Sequence, residues 1–200
     1  MKKKILKEII KNHELWAGDK GGGKRAKLEG CNLRGIDLKE NDLRNIILKG
    51  SDFRGNTLEL VNLYMADLIC TNLSGCYFKG SNLYNVKLGS STLSGCCFNE
   101  CDLTLCDLKD SILRGAIFQE CNLYKADFRG CDLRGVSFNH CDLGEVDFED
   151  ARLSGCSFTG SDLRKVNFAD VNVEDINLKY AKNIGYIKGV KNETKRITNN

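Results

Sequence analysis

The chain has 200 residues, 30 Lys and Arg against 27 Asp and Glu, and a net charge of +3. A hydrophobic share of 42% and a charged share of 28% are normal for a globular protein that folds in water. No run approaches the ~18 apolar residues of a membrane span, which excludes an integral helical membrane protein.

From the N-terminus, Met1 to Ile10 is basic and then apolar. Lys7, Glu8 and Lys11 interrupt the apolar stretch and no small-residue cleavage site follows, so it does not read as a signal peptide. The expected location is the cytoplasm. Thiols stay reduced there, and the 11 cysteines then read as small buried apolar residues. Ile5, Leu6, Ile9 and Ile10, with Trp16 beyond, predict an apolar stripe on a short helix over 3–16. Such a basic amphipathic helix suits a membrane surface or a partner, but beside a repeat body it is expected to act as a cap. Gly21, Gly22 and Gly23 then give a turn, so residues 1–25 form one unit.

The repeat occupies residues 26–180. Every fifth residue from Leu28 to Leu178 is Leu 21 times and Phe nine times, with Val173 the one exception. All nine phenylalanines share this phase. Two residues earlier the chain is small or β-branched and holds nine of the cysteines: Cys31, Cys76, Cys96, Cys101, Cys106, Cys121, Cys131, Cys141 and Cys156. Apolar residues two apart share a face of an extended segment, whereas a five-residue period drifts around a 3.6-residue helix. Short extended segments with a turn every five residues must coil.

A second period counts the sides. Phe78, Phe98, Phe118, Phe138 and Phe158 are spaced by twenty, as are Phe128, Phe148 and Phe168. Gly35, Gly55, Gly75, Gly95, Gly115, Gly135 and Gly155 form another twenty-residue series. Four pentapeptides per coil explain both, with the rings stacked inside and the glycines at a corner needing φ > 0, as in a type II turn. The next corner series, Asn45, Met65, Asn85, Leu105, Lys125, Glu145 and Lys165, cannot take φ > 0 cheaply, and a different turn type is expected there. The 31 pentapeptides predict about 7.75 coils and, at ~4.8 Å per coil, a rod of about 37 Å.

Stretches such as Cys31-Asn-Leu-Arg-Gly, Ser51-Asp-Phe-Arg-Gly, Ala126-Asp-Phe-Arg-Gly and Cys131-Asp-Leu-Arg-Gly resemble the pentapeptide-repeat family, whose motif is A(D/N)LXX. The resemblance covers residues 26–180. Cys often stands where the family has Ala, which keeps a small buried group. The fold it implies is all-β, a right-handed quadrilateral parallel β-helix (solenoid) with, here, a short N-terminal capping helix. Beyond the repeat, residues 181–200 are expected to hold a C-terminal cap of Ile184, Tyr186, Ile187 and Val190 and a disordered tail over 191–200.

Chemistry is sparse. His13, in the cap, and His140, at an outward corner, read as surface residues with no nucleophile and acid fixed beside them, so no catalytic residue is assigned. The cysteine columns suit neither bridges nor a tetrahedral metal site, and zinc-type C-x₂-C pairs are absent. No cofactor or metal is expected. Asn41 and Asn56 fall at inner positions, where each should bond the backbone of adjacent coils.

The candidate interaction surface lies outside. Asp102, Asp142 and Asp162 form one column and Asp107, Asp127 and Asp147 another, with Asp110, Asp150 and Asp170 beyond. Arg34, Arg54, Arg114 and Arg134 form a basic column, and Tyr64, Tyr84 and Tyr124 an aromatic one that could anchor a partner.

Two functions are open. One is a non-enzymatic rigid binding or scaffold module with an unidentified protein partner. The other follows from the quinolone-resistance members of the family, which resemble B-DNA and occupy the DNA site of gyrase and topoisomerase IV: a bacterial DNA mimic acting on a type II topoisomerase. Against it, residues 26–180 hold 17 Lys and Arg against 23 Asp and Glu, whereas a ~37 Å rod of DNA carries about 22 negative charges. The loop insertions and dimerisation helix of that group are also missing. Interleaved acids argue against direct nucleic-acid binding. The oligomeric state is open, with a monomer favoured.

Overall fold

The computed structural model describes residues 3–19, 21–173 and 176–184. Tyr186, Ile187, Val190 and the tail over 191–200 lie outside the described residues. One helix, α1 (Lys3–Ala17), precedes a four-sided parallel β-solenoid. Five strands form one sheet in sequence order: β1 (Thr57–Glu59), β2 (Tyr77–Lys79), β3 (Cys97–Asn99), β4 (Ile117–Gln119) and β5 (Ser137–Asn139). Each pairs in parallel with the segment twenty residues on, Phe98 opposite Phe118 for example. These strands span four turns on one side, fewer than the 7.75 coils the sequence suggests. Elsewhere the twenty-residue pairing is carried by single bridges, from Lys27 with Ile47 to Asp162 with Lys182.

Every Phe is buried, and eight of the nine rings form two columns, Phe53 lying on another side among leucines. Phe98 lies 4.7 Å from Phe118, and Phe118 5.0 Å from Phe138, all near parallel. Phe128, Phe148 and Phe168 stack at 5.3 and 5.4 Å. The columns meet edge to face, Phe118 with Phe128 at 89°, an arrangement the ring quadrupoles favour.

The small inner residues have a second task. Most of their thiols and hydroxyls reach a buried carbonyl one coil back: Cys96 Sγ donates to Leu73 O at 2.9 Å, Cys131 to Leu108 O at 2.9 Å and Ser111 Oγ to Leu88 O at 2.8 Å. Asn56 does the same with its amide, donating to Leu33 O at 2.7 Å and accepting from the Gly35 N–H at 2.6 Å. A buried polar group is tolerated only when paired, and the coil spacing supplies the partner.

The corners hold a surprise. The glycine series has φ between 63° and 73°. The neighbouring series was expected to turn differently, yet Asn45, Met65, Asn85, Leu105, Lys125, Glu145 and Lys165 all have φ between 52° and 60°. The reason is the ladder. The Met65 N–H donates to Tyr84 O at 2.9 Å and the Ala66 N–H closes the turn onto Leu63 O at 2.8 Å, and only φ > 0 aims both. Surrounding structure over-determines the strain. At strand ends the turn opens instead, and the next coil's side chain completes it: the Val61 N–H donates to Ser81 Oγ at 3.2 Å and the Cys141 N–H to Ser161 Oγ at 2.9 Å.

Helix α1 closes the first coil with Leu6, Ile10 and His13, spaced four and three apart on one buried stripe. The stripe is rotated from the sequence expectation: Ile5 is exposed and so is Trp16, because facing the coil with Leu6 and Ile10 turns that flank outward. Glu14 Oε1 accepts from Asn41 Nδ2 at 2.8 Å and the Asp42 N–H at 3.2 Å. Asn41 therefore bonds the helix rather than a neighbouring coil's backbone, since its coil is the one α1 covers.

Candidate interaction face

The acidic columns are built into the turns. Asp at this phase accepts the N–H two residues on, closing an Asx turn: Asp102 from Thr104 at 3.0 Å, Asp107 from Lys109 at 3.2 Å and Asp142 from Gly144 at 2.9 Å. Cations then neutralise most of them. Arg129 sits between Asp127 at 2.7 Å and Asp147 at 3.6 Å. Arg164 bridges Asp142 and Asp162. In the basic column, Arg134 and then Arg114 hold the Asp132 carboxyl well below the usual range, and Arg54 holds Asp52 at about 2. Asp102 and Asp107 have no ion pair among the described residues.

His13 is not a surface residue. Its ring is fully buried against the first coil, and Nδ1 accepts the Ala26 N–H at 3.1 Å. Burial pushes its pKa down, against the backbone of Arg44 and the charge of Asp42. His140 is exposed at a corner, packed over Gly160, where a Cβ would lie 2.5 Å from its Nδ1. One imidazole is on α1 and the other on a solenoid coil. All 11 cysteines are free thiols, eight of them buried. Burial lifts Cys76 to about 11 and Cys131 and Cys156 to about 12, so these sulfurs stay protonated donors. Among the described residues no group of His, Cys, Asp or Glu is placed to hold a metal ion.

The tyrosine column divides. Tyr64 and Tyr84 stack with ring centroids 5.4 Å apart and planes 11° apart. Tyr124 stands apart beyond Thr104, with Lys125 Nζ 5.1 Å and Arg164 Cζ 5.4 Å from its ring. Sequence reasoning missed the company the first two keep. Met65 and Leu105 line the corner beside them and Leu60 the opposite corner, and these are 42%, 39% and 55% exposed. Each has φ between 53° and 59°, a backbone cost of roughly 1–2 kcal/mol for a residue with a Cβ. The signal was in the sequence: bulky apolar residues in the corner phase that elsewhere mostly takes Gly, Asn or charge. Asn62, Asn82 and Asn85 complete a patch without a formal charge between Arg44 and Asp102.

Among the described residues no helix is long and apolar enough to cross a membrane. A comparison with curated proteins gives no significant match. Among solved structures, the chain is similar to Rfr23, a pentapeptide repeat protein from the cyanobacterium Cyanothece 51142, at 19% identity over 86% of this chain and 98% of that one, with a TM-score of 0.44. Full-length QnrB1, a plasmid-mediated fluoroquinolone resistance protein, matches at 19% identity over 86% and 95%, TM-score 0.32. HetL of Nostoc sp. strain PCC 7120, a pentapeptide repeat protein involved in heterocyst differentiation regulation, matches at 22% over 84% and 90%, TM-score 0.29. Family descriptions match directly: the pentapeptide repeat region over residues 66–139 and 101–178, and pentapeptide repeats (8 copies) over 24–55. With these family matches covering most of its length, the chain belongs to the pentapeptide-repeat family.

Proposed function

We propose that this protein is a non-enzymatic rigid binding module, with residues 1–25 as its cap and 26–180 as the body, that meets a protein partner on the face carrying Tyr64, Met65, Tyr84 and Leu105. The observation that carries this is the pair Met65 and Leu105. Each holds a left-handed backbone at a cost, and neither recovers it by burial. Glycine there would be cheaper for the fold. Stacked aromatics beside exposed aliphatics are what a partner's apolar anchor needs. The test places a photo-crosslinking amino acid at position 84, and at position 119 on the neighbouring sheet face, in living cells. A protein adduct at 84 and none at 119 supports the face. No adduct at 84 overturns it.

The topoisomerase-directed DNA mimic is the weaker reading. Arg129 and Arg164 lie between the acids such a mimic would offer, and DNA presents an uninterrupted row of charge. A gyrase supercoiling assay, with and without a fluoroquinolone, checks it: no inhibition and no protection at micromolar protein removes it.

A further inference from the structure

We infer that the occupant of this face is a second copy of the chain, docked side by side and parallel, with a two-fold axis running along the rods. This rests on the reading above that the face binds protein. The argument is the arrangement of charge and apolar groups across the face. One long edge carries the Asp column with the corner Leu60, Glu100 and Glu120. The other carries Arg44, Tyr64, Tyr84 and Arg164 with the corner Met65, Leu105, Lys125 and Lys165. A two-fold axis along the rod keeps each coil level with its own copy and exchanges the two edges. Leu60 then meets the partner's Met65, and Met65 the partner's Leu60, as an isologous contact requires. In the same register Glu120 meets the partner's Lys125, and the intrachain pairs Asp42–Arg44 and Asp162–Arg164 come level with the partner's own, each Asp facing the partner's Arg so that the pairs extend across the axis. Tyr64 and Tyr84 lie against the partner's Asn62 and Asn82.

Every ionic match in that arrangement is between opposite signs. The antiparallel alternative keeps each edge against itself, so the acidic edge faces the partner's acidic edge; centred on Gly80, it sets Glu40 opposite the partner's Glu120, a like-charge juxtaposition. Charge therefore selects the parallel pairing. Size sets its strength. A face about 37 Å long and four extended steps of ~3.3 Å wide offers on the order of 500 Å² per copy. That is below the ~800 Å² of a standard stable interface, so the dimer is expected in the micromolar range.

Sedimentation velocity of the purified full chain, from about 1 to about 100 μM, tests this. Concentration-dependent dimerisation is expected, weakened at least tenfold by Leu60→Asp or Met65→Asp and unchanged by Ile117→Asp on the sheet face. Asp accepts a left-handed backbone better than Leu or Met does, so loss of dimer in these variants is not loss of fold. A wild-type chain that stays monomeric throughout the range overturns the inference. Orientation is read in a Cys70→Ser background, by mixing Leu60→Cys chains with Met65→Cys chains under oxidation. A disulfide-linked dimer forming from the mixture, and from neither variant alone, supports the parallel pairing; a mixture that forms none overturns it. If the chain is monomeric yet position 84 crosslinks to another protein, the second copy is wrong and the binding-module reading stands. If it neither dimerises nor crosslinks, both fall.

Discussion

His13 Nδ1 accepts the Ala26 N–H at 3.1 Å, tying the capping helix to the first residue of the solenoid through a neutral imidazole. Among the described residues its buried Nε2 has no hydrogen-bond partner, and Trp16 stacks on the ring at 5.4 Å. Protonating Nδ1 breaks the bond and buries a charge. Because burial lowers the folded pKa beneath the unfolded value of 6.5, the unfolded chain binds the proton more readily, and the cap loses stability as pH falls below about 6.5. Trp16 is the only tryptophan, so its fluorescence reports the event. The expected midpoint lies below 6.5, and His13→Gln abolishes the transition. A midpoint at or above 6.5 contradicts the burial argument.

Phe118 has rings 4.7 Å on one side and 5.0 Å on the other. Phe118→Ala opens a cavity between two stacked neighbours that the coil spacing prevents from closing. The expected cost is ~3–5 kcal/mol, or roughly 6–20 °C in Tm for a chain of this size. Thermal unfolding by circular dichroism measures it, and an unchanged Tm would mean the ring column does not support the rod.

Thiol reactivity should follow burial rather than position. Cys70 is exposed, Cys31 and Cys97 are half-buried and the other eight are buried. Titration with a chromogenic disulfide reagent at pH 8 should give one fast thiol, two slower ones and no more until denaturant is added. A native protein that titrates all 11 at one rate would refute the inward placement of the small-residue phase.

Asp132 is almost buried between Arg114 and Arg134, at 2.6 and 2.8 Å. Asp132→Asn leaves two cations facing each other. Both arginines are about half exposed, so solvent screening limits the expected loss at pH 7 to about 1 kcal/mol. The folded carboxyl titrates below its unfolded value of 3.8. The wild-type advantage is thus complete above about pH 4 and disappears as pH falls through the lower folded value. Paired Tm measurements at pH 7 and pH 2 should show the gap closing, and a gap that widens in acid would be inconsistent with this ion pair.

Inside and outside were legible in the chain because two periods fix them. A five-residue repeat chooses which side chains face the axis, and a twenty-residue repeat chooses which of them stack, so Phe98 over Phe118 follows from spacing alone. The corners were harder to read. Met65 and Leu105 looked unfit for positive φ as single residues, and only the hydrogen bonds to the next coil impose it. The Asp columns looked like free charge because a sequence shows Asp142 and Arg164 as 22 residues apart, whereas one coil of winding puts them in contact. His13 and Asn41 were misplaced for a similar reason, since the docking of α1 is set by a surface that exists only once the first coil has closed. Periodicity is a local property that each residue carries with it. Caps, strained corners and ion pairs are relations between coils, and the wound chain alone decides them.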